Sequence, residues 1–391
     1  MTDIFQNYFL QREELLARIA QELQLDKTRL KKMESAYNAV SDLLKNDSEF
    51  FDGLDIEVYA QGSTRIGTTV KPIMEEDFDL DTVLHIYDVY YKHTPEGLYN
   101  GLVKALEKDP YYRAIMEKKK RCVRLNYKSD FHMDILPACM PNSFEMKKIQ
   151  IPEKAMKNWS SGNPKGFAEW FETRSKSSTT PMLRKFSSEL LEAQIETEPL
   201  PEELYSKTPL QRAVQLIKRY RDLYYKNRDY RASSIVITSL AAEFYNGEDS
   251  IFDAIDNIIS TIRRNYTEAI KQGQKFKILN PVNPSEDFTD SWTNEHYDSF
   301  YRFINDFYNK WQNLKNSFET SNKDYIELFG EGIYKKSLNE QFRAFGDASK
   351  DSLVRSSALI TGGGALTDSK GQINKNNGIK NEPHHSYGGR Y

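Results

Sequence analysis

The sequence is poor in the residues that define several common protein classes. It has two cysteines, Cys122 and Cys139, among 391 residues, which is too few for a disulfide scaffold and typical of a reducing compartment. The six histidines form no Cys/His cluster with zinc spacing. No apolar run approaches the ~20 residues that cross a bilayer, and the start of the chain does not resemble a signal peptide. We therefore expect a cytoplasmic protein with no membrane partner.

The sequence also lacks an excess of positive charge. It has 54 lysines and arginines against 57 aspartates and glutamates, a net charge of −3. Without a global basic field, a nucleic-acid partner is not expected. Hydrophobic residues make up 39% and charged residues 28% of the chain, as in soluble globular proteins. The length suits two domains or one bilobed unit.

The chain is organised around a glycine–serine turn and a carboxylate pair. Gly62-Ser63 comes first, and Asp79-Leu80-Asp81 opens a predicted strand. Alternate side chains of a strand share a face, so Asp79 and Asp81 point one way and Leu80 the other. A glycine lets the backbone approach a phosphate, and Ser63 can hydrogen-bond to it. The stretch therefore predicts a phosphate site beside a carboxylate pair.

The carboxylate pair indicates a metal site. Two neighbouring carboxylates repel each other, which raises the pKa of one unless a cation lies between them. Mg²⁺ prefers oxygen ligands. Asp134, on a predicted strand at 131–136, supplies a third carboxylate if that strand pairs beside the first. The alternatives are a solvated acidic loop at 75–81 and a surface strand residue at Asp134.

The remaining pattern predicts an α+β fold. A helix is expected over 4–46. Further strands are expected at 56–60 and 122–127. From Thr208, which begins a predicted capping box with Gln211, the chain is helical. We expect a core that contains the strands and the N-terminal helices over 1–205, an α-helical lobe over 206–359 and a flexible polar tail over 360–391. The acidic, proline-containing segment at 192–203 is the predicted connection between core and lobe.

Together these pieces resemble the CD-NTase family, the bacterial relatives of cyclic GMP–AMP synthase and oligoadenylate synthase in the polymerase-β-like superfamily. The motifs that carry the resemblance are Gly62-Ser63, Asp79-x-Asp81 and His132-x-Asp134. The resemblance covers roughly residues 40 to 340 and continues through 163–166 and 280–284. It implies a polymerase-β-like mixed sheet with a long N-terminal helix and a C-terminal α-helical lobe.

The resemblance also implies roles for particular residues. Asp79, Asp81 and Asp134 would be catalytic and hold two Mg²⁺ ions, with Mn²⁺ as a substitute. Gly62 and Ser63 would bind the triphosphate.

A lysine and a serine of the helical lobe would also contact the triphosphate, and by position these are Lys218 and Ser234. The alternative for Lys218 is a helix lysine whose ammonium reaches solvent, and Arg221 on the same face is a further candidate. Asp77 lies in the acidic stretch at 75–81. The alignment that best matches the family assigns the catalytic pair to Asp79 and Asp81 and leaves Asp77 outside it.

The implied activity is synthesis of a cyclic di- or trinucleotide second messenger from NTPs, with release of pyrophosphate, in CBASS antiphage defence. An effector protein would bind the product. Conjugation enzymes tether some family members through their C-termini, so such an enzyme is a further expected partner, although Tyr391 is not the small residue expected there. The rival functions are a template-independent transferase that makes linear oligonucleotides or modifies RNA, and a catalytically inactive nucleotide-binding module.

Overall fold

The computed structural model describes most of the chain. The described residues are 2–25, 27–73, 78–127, 131–153, 157–176, 207–316 and 322–348, with two-residue strands at 366–367, 373–374 and 379–380. None of the helices in these ranges has the length and apolar composition required to span a membrane. The predicted connection at 192–203, the boundary at 205/206 and most of the predicted tail at 360–391 lie outside the described residues.

The described α-helices lie before, between and after the strands. Their bounds are α1 Thr2–Glu22, α2 Lys27–Lys45, α3 Gly62–Arg65, α4 Pro95–Glu107, α5 Pro110–Ile115, α6 Pro164–Ser175, α7 Pro209–Tyr224, α8 Ser234–Phe244, α9 Ile251–Lys271, α10 Asn294–Asn316, α11 Asn322–Phe329 and α12 Glu331–Ala348. A 3-10 helix covers Tyr90–Lys92. The strands are β1 Ile56–Ala60, β2 Phe78–Val89, β3 Met116–Lys118, β4 Val123–Tyr127, β5 Phe131–Met140, β6 Ile149–Pro152, β7 Trp159–Gly162, β8 Leu279–Asn280, β9 Asn283–Asp287, β10 Leu366–Thr367, β11 Ile373–Asn374 and β12 Ile379–Lys380.

Seven of the described strands form one mixed sheet. Its order is β1-β2-β5-β4-β3, with β6 paired to β5 and β7 paired to β6. Strands β2 and β5 are parallel, whereas the β1–β2 and β4–β5 pairs are antiparallel. This sheet and the surrounding helices confirm the predicted α+β class. The strands expected at 56–60, 79–86, 122–127 and 131–136 are all present, and β2 and β5 extend a few residues further.

One face of the sheet forms the main hydrophobic core. Leu80 and Leu84 of β2 lie in it with Met133 of β5, and all three are nearly inaccessible to solvent. The apolar stripes of α2 and α4 cover this face, represented by Val40 and Leu102. Because side chains alternate along a strand, burial of these residues turns Asp79 and Asp81 to the opposite face, as predicted.

The helix predicted over 4–46 is interrupted by a short break. The stretch forms two helices, α1 and α2, with a break between Glu22 and Lys27. In the break, the Leu23 carbonyl accepts a hydrogen bond of 2.7 Å from the backbone N–H of Lys71. That carbonyl therefore bonds to a distant loop instead of the next helical turn. Helical periodicity continues across the break in the sequence, so it gave no sign of this bond.

The helical part of the chain, from Thr208 onward, begins at the capping residue that the sequence predicts. The Thr208 side chain and Gln211 form the expected capping box at the start of α7. The Ser250 side chain accepts a hydrogen bond from the Asp253 N–H at the start of α9. These caps satisfy backbone N–H groups that have no partner within the helix, and they fix where α7 and α9 begin.

The chain forms two compact units. One contains residues 1–22, 180–206 and 310–391, and the other contains residues 23–179 and 207–309. In the first unit the buried Glu14 carboxylate pairs with Arg18 of α1 and accepts from Gln341 of α12. The second unit contains the large sheet and helices α7 to α9. The predicted division at residues 205 and 359 stays a prediction.

Candidate active site

The three predicted carboxylates lie on two neighbouring parallel strands. The register of β2 and β5 pairs Asp81 with Asp134 and Asp79 with His132. Paired residues of adjacent strands point to the same face, so the three aspartates are together on the face opposite the main core. The His132 Nε2 lies 3.2 Å from the Asp79 Oδ1. The predicted pairing of the two strands is confirmed by this register.

Gly62 lies directly against Asp81. The backbone N–H of Gln61 donates to the Asp81 carbonyl at 2.9 Å, which brings the turn beside the strand. Gly62 has φ +59°, and a Cβ added to it would lie 2.8 Å from the Asp81 Oδ2. The left-handed backbone and the close carboxylate both favour glycine here. The glycine of the predicted turn therefore allows the backbone to pack against the carboxylate pair.

Asp81 is largely buried beside the other two carboxylates. Burial raises the pKa of Asp81 to about 6, and the charges of Asp79 and Asp134 raise it further, whereas Arg124 and Lys218 oppose the rise. Burial and like charges both disfavour the ionised form of a carboxyl group. The expected repulsion between neighbouring carboxylates is therefore present, with burial as the larger cause.

Arg124 is the residue of this cluster that the sequence analysis missed. Its Nε donates to Asp134 Oδ1 at 2.7 Å and its Nη2 donates to Asp134 Oδ2 at 2.8 Å. The same Nη2 lies 3.6 Å from Asp79 Oδ1. A signal was available, because antiparallel pairing of the predicted strands at 122–127 and 131–136, in the register that matches residue 127 with residue 131, places residue 124 opposite residue 134. The observed β4–β5 register is that one.

A cavity of about 270 Å³ opens beside the carboxylates. Three predicted site residues line it together with Asp79, namely Ser63, Lys218 and Ser234. The other lining residues are Thr68, Val70, Pro72, Ile73, Phe78, Arg221, Asp222, Tyr225, Lys226 and Arg231. The cavity is therefore bounded by the start of β2, by α3 and the loop after it, by residues of α7 and the connection that follows it, and by the start of α8.

Lys218 is buried in the wall of this cavity. Its side chain is 4% exposed, and its Nζ donates to the Thr68 Oγ1 at 3.1 Å and the Thr68 carbonyl at 3.3 Å. Burial, with Arg221 as a second cause, lowers the pKa of Lys218 to about 7. A snorkelling lysine would place its ammonium in solvent, whereas this ammonium faces the loop of the predicted phosphate site.

Ser234 is the first residue of α8, and Arg221 holds it. The Arg221 Nη1 donates to the Ser234 Oγ at 2.7 Å. Because an arginine can only donate, the Ser234 hydroxyl accepts this bond and keeps its own proton for another acceptor. Asp222 Oδ1 accepts from Arg221 Nη2 and from Arg231 Nη2, both at 2.6 Å. Asp222 and Arg231 were not predicted, because their meeting depends on the loop between α7 and α8.

One face of α7 binds the loop after α3. Gln211 Nε2 donates to the Ile66 carbonyl at 2.9 Å, and Gln215 Nε2 donates to the Thr69 carbonyl at 2.7 Å. With Lys218 these side chains lie at spacings of four and three, so they share a face of the helix. They connect α7 to the loop that directly follows the short helix α3, which contains Ser63. The sequence identified Lys218, and Gln211 only as a capping residue, but gave no sign that the two glutamines contact this loop.

The donor chemistry fits a hard divalent cation. Three carboxylates share one face, and a cation among them would relieve the crowding that contributes to the raised pKa of Asp81. Within the described ranges, however, no three His, Cys, Asp or Glu side chains are already grouped to hold a metal. The Arg124 guanidinium, which bonds both Asp134 oxygens, lies among these carboxylates instead. Asp77, the alternative member of the pair, lies outside the described residues.

Comparison with known proteins gives concordant matches. A model of the Second Messenger Oligonucleotide or Dinucleotide Synthetase domain matches residues 11–175. A c-di-GMP synthase of Roseivirga ehrenbergii is 39% identical over 341 residues, covering 86% of this chain and 88% of the relative. The cyclic dinucleotide synthase CdnG of Bradyrhizobium diazoefficiens is 27% identical over 299 residues, covering 71% of this chain and 69% of that protein.

The fold is similar to solved structures as well. The structure of the B. diazoefficiens CD-NTase CdnG in complex with GTP superimposes with a TM-score of 0.68 at 24% identity. The match covers 84% of this chain and 98% of that structure. The sheet, the helical part and their connectivity are therefore those of a known fold.

Proposed function

Because the chain belongs to the CD-NTase family of cyclic-oligonucleotide synthases, we propose that it is a Mg²⁺-dependent synthase of a cyclic dinucleotide, with GTP as substrate and c-di-GMP as product. The observation that carries the activity is the convergence of Asp79, Asp81 and Asp134 on one face of the sheet beside the cavity that Lys218 and Ser234 line. The choice of guanine is supported by 39% identity to a c-di-GMP synthase across most of the chain.

In the proposed reaction a ribose hydroxyl of one nucleotide releases its proton to solvent and attacks the α-phosphorus of another. The bond from the α-phosphorus to the oxygen that bridges to the β-phosphate breaks, and pyrophosphate leaves with that oxygen. A second transfer closes the ring. The protein contributes positioning and charge stabilisation more than covalent chemistry.

Asp79, Asp81 and Asp134 would hold two Mg²⁺ ions, or Mn²⁺ in their place. When bound, such ions lower the pKa of the attacking hydroxyl and stabilise the charge of the leaving pyrophosphate. Asp134, on the second strand, would lie nearest the attacking hydroxyl. Gly62 allows the turn to approach Asp81 closely, which keeps the phosphate-binding residues beside the carboxylates.

The opposite side of the cavity would bind the triphosphate. Lys218 offers a buried ammonium, and burial strengthens its attraction for an anion. The Ser234 hydroxyl, which accepts from Arg221, retains its proton to donate to a phosphate oxygen. Ser63 lines the same cavity. These contacts would hold the leaving group while the carboxylates hold the metals.

The test is incubation of the purified protein with each NTP and with all four in the presence of Mg²⁺ or Mn²⁺. We expect a phosphatase-resistant product with the mass of c-di-GMP from GTP alone. A phosphatase-sensitive product would indicate the linear-oligonucleotide transferase, and absence of any product would indicate the inactive nucleotide-binding module. A resistant product of another mass would retain the cyclase and change only the bases or the ring size.

We further propose that the protein acts in the cytoplasm in CBASS antiphage defence and that an effector protein binds its product. The support is membership in the family. A conjugation enzyme acting at the C-terminal tail is proposed on the same basis. A pull-down with the purified cyclic product, followed by identification of the proteins retained, would test the effector.

A further inference from the structure

We propose that Arg124 is a built-in counter-ion that competes with the metal for Asp134, so that the site binds a divalent cation weakly until a nucleotide arrives. The proposal rests on the proposed function, because it takes the three aspartates as metal ligands. In this proposal Arg124, on β4, controls how readily the carboxylates on β2 and β5 bind a metal.

The geometry of the sheet places Arg124 in this position. The β4–β5 register pairs Arg124 directly with Asp134, and the β2–β5 register pairs Asp134 with Asp81. Three adjacent strands therefore present an arginine, an aspartate and an aspartate in one row across the sheet. The Arg124 side chain is 24% exposed and that of Asp134 is 19% exposed. Solvent therefore screens this pair less than it would a surface ion pair.

The ion pair uses the atoms that a metal needs. Both oxygens of Asp134 accept from Arg124, at 2.7 and 2.8 Å. Bidentate arginine–carboxylate pairs are among the strongest hydrogen-bonded pairs in proteins. Mg²⁺ binds oxygen ligands at about 2.0–2.1 Å, closer than any donor of Arg124 lies. A metal that takes Asp134 as a ligand must therefore displace a hydrogen bond or share an oxygen with the guanidinium, and in either case it binds close to the positive charge of Arg124.

The charge balance explains why a nucleotide would reverse the competition. Without ligand, Arg124 offsets part of the repulsion among the carboxylates, because its guanidinium bonds both oxygens of Asp134 and lies 3.6 Å from Asp79 Oδ1. A triphosphate brings several negative charges and additional oxygen ligands to the site. These oxygens can coordinate the divalent cation, whereas Arg124 already donates to both oxygens of Asp134. The nucleotide therefore strengthens metal binding more than it strengthens the ion pair. Metal and nucleotide would therefore bind cooperatively.

A second role for Arg124 predicts the opposite result. If the arginine only orients Asp134 for the metal, its removal should weaken metal binding, as loss of a residue that orients a ligand usually does. Competition predicts that removal strengthens it. The sign of the change in metal affinity therefore separates the two roles without any measurement of product.

The experiment is titration of the full chain with Mn²⁺, with free Mn²⁺ measured by electron paramagnetic resonance, first without nucleotide. We expect Arg124→Gln to bind Mn²⁺ about tenfold more tightly than the unaltered protein. Arg121→Gln is the matched control, since Arg121 is an exposed arginine near β4 whose ion-pair partner is Glu153. It should leave the affinity unchanged. Unchanged or weaker binding by Arg124→Gln would overturn the proposal.

Two further measurements protect the result from misfolding. Arg124→Lys keeps the charge but loses the two-pronged bond, so its Mn²⁺ affinity should fall between those of the unaltered protein and Arg124→Gln. In Asp134→Asn, the added substitution Arg124→Gln should change Mn²⁺ affinity much less, since the contested ligand is gone. Circular dichroism spectra would verify that each variant is folded.

Adding a non-hydrolysable GTP analogue completes the test. The analogue should tighten Mn²⁺ binding more in the unaltered protein than in Arg124→Gln, and equal tightening would contradict the proposed gating. If neither protein binds Mn²⁺ even with the analogue, both this inference and the proposed metal-dependent function fail. If the unaltered protein makes the cyclic product but Arg124→Gln shows no gain in affinity, only the inference fails.

Discussion

The two sides of the cavity bury charges of opposite sign by different means. On the sheet side Asp79 lines the cavity, and Asp81, Asp134 and Arg124 lie beside it on the same face. We call these four residues the sheet wall. The helical wall consists of Lys218, Arg221, Asp222 and Ser234. In the sheet wall the strands hold the carboxylates in fixed register, and the pKa of Asp81 rises to about 6. In the helical wall an ammonium is buried against a loop, and the pKa of Lys218 falls to about 7.

The contrast shows what each wall lacks. Asp81 and Lys218 are both shifted towards the neutral form, because burial disfavours ionisation whichever sign the charge has. A cation would restore the charge of the sheet wall, and a polyanion would restore that of the helical wall. A metal–triphosphate complex supplies both at once. The two walls are therefore complementary to one ligand rather than to each other.

Removal of a carboxylate should have the largest effect. Asp79→Asn, Asp81→Asn and Asp134→Asn should each lower product formation by about a thousandfold or more, because metal binding requires the ionised ligands. Loss of a charge from a repelling cluster should leave the metal-free fold as stable as before, or more so, for Asp81→Asn. Product yield and thermal unfolding without metal would check the two statements.

Two other aspartates give the matched controls. Asp88 lies on β2 but pairs with Lys92 and His93 away from the cluster. The variant Asp88→Asn should therefore retain activity. Asp77→Asn should also retain most activity if the catalytic pair is Asp79 and Asp81. Loss of activity in Asp77→Asn, with activity kept in Asp134→Asn, would mean that the catalytic pair is assigned to the wrong residues.

Removal of the buried ammonium should have the next largest effect. It should weaken GTP binding and leave metal affinity unchanged. Lys218→Met should weaken GTP binding by roughly tenfold to a hundredfold, because a charge-assisted contact in a buried site is lost. Lys207→Met is the control, since Lys207 Nζ bonds to the Gly67 carbonyl of the same loop and does not line the cavity. Equal loss in both variants would attribute the effect to the loop rather than to a phosphate contact.

The helical wall should also make nucleotide binding depend on pH. Lys218 is protonated below its pKa of about 7 and loses its charge as the pH rises, so metal-free GTP affinity should fall by up to about tenfold from pH 6 to pH 8. Calorimetric titration at three pH values would measure this. The titration of GTP itself contributes equally to the unaltered protein and to Lys218→Met. If GTP affinity falls with pH as steeply in Lys218→Met as in the unaltered protein, Lys218 is not the group responsible.

The same group predicts the pH dependence of stability. An unfolded chain keeps the lysine proton up to its ordinary pKa of 10.5, whereas the folded, nucleotide-free protein loses it near pH 7. Between these values the unfolded state binds more protons, so this group makes stability rise with pH. Thermal unfolding of the unaltered protein and Lys218→Met over this range would show the difference.

Deletion of residues 360–391 should have the smallest effect, because it leaves both walls in place. The segment is polar and rich in glycine, and we expect product formation within about twofold of the full chain. Product yield from the truncated protein is the measurement. A folded but inactive truncation would mean that the tail belongs to the catalytic machinery and that the predicted boundary at residue 359 is wrong.

Local sequence signals were sufficient to predict elements that depend on interactions between residues close together in the sequence. Period-two alternation predicted β2 and the face on which Asp79 and Asp81 lie, and the capping box predicted the start of α7. The predicted N-terminal helix is interrupted at Leu23, where a backbone bond to Lys71 competes with the helix. That bond joins residues far apart in sequence, and no periodicity reports it.

The sequence by itself determined the carboxylates, the glycine beside them and the fold class, because these depend on residue type and short spacing. Only the tertiary structure decided which side chains meet. It pairs Arg124 with Asp134 through strand register and buries Lys218 against Thr68 through the packing of α7 on a loop. It also joins Arg221 to Ser234 across the connection between two helices. Burial and ion pairing set the charge state of a site, and both arise only when distant segments pack together.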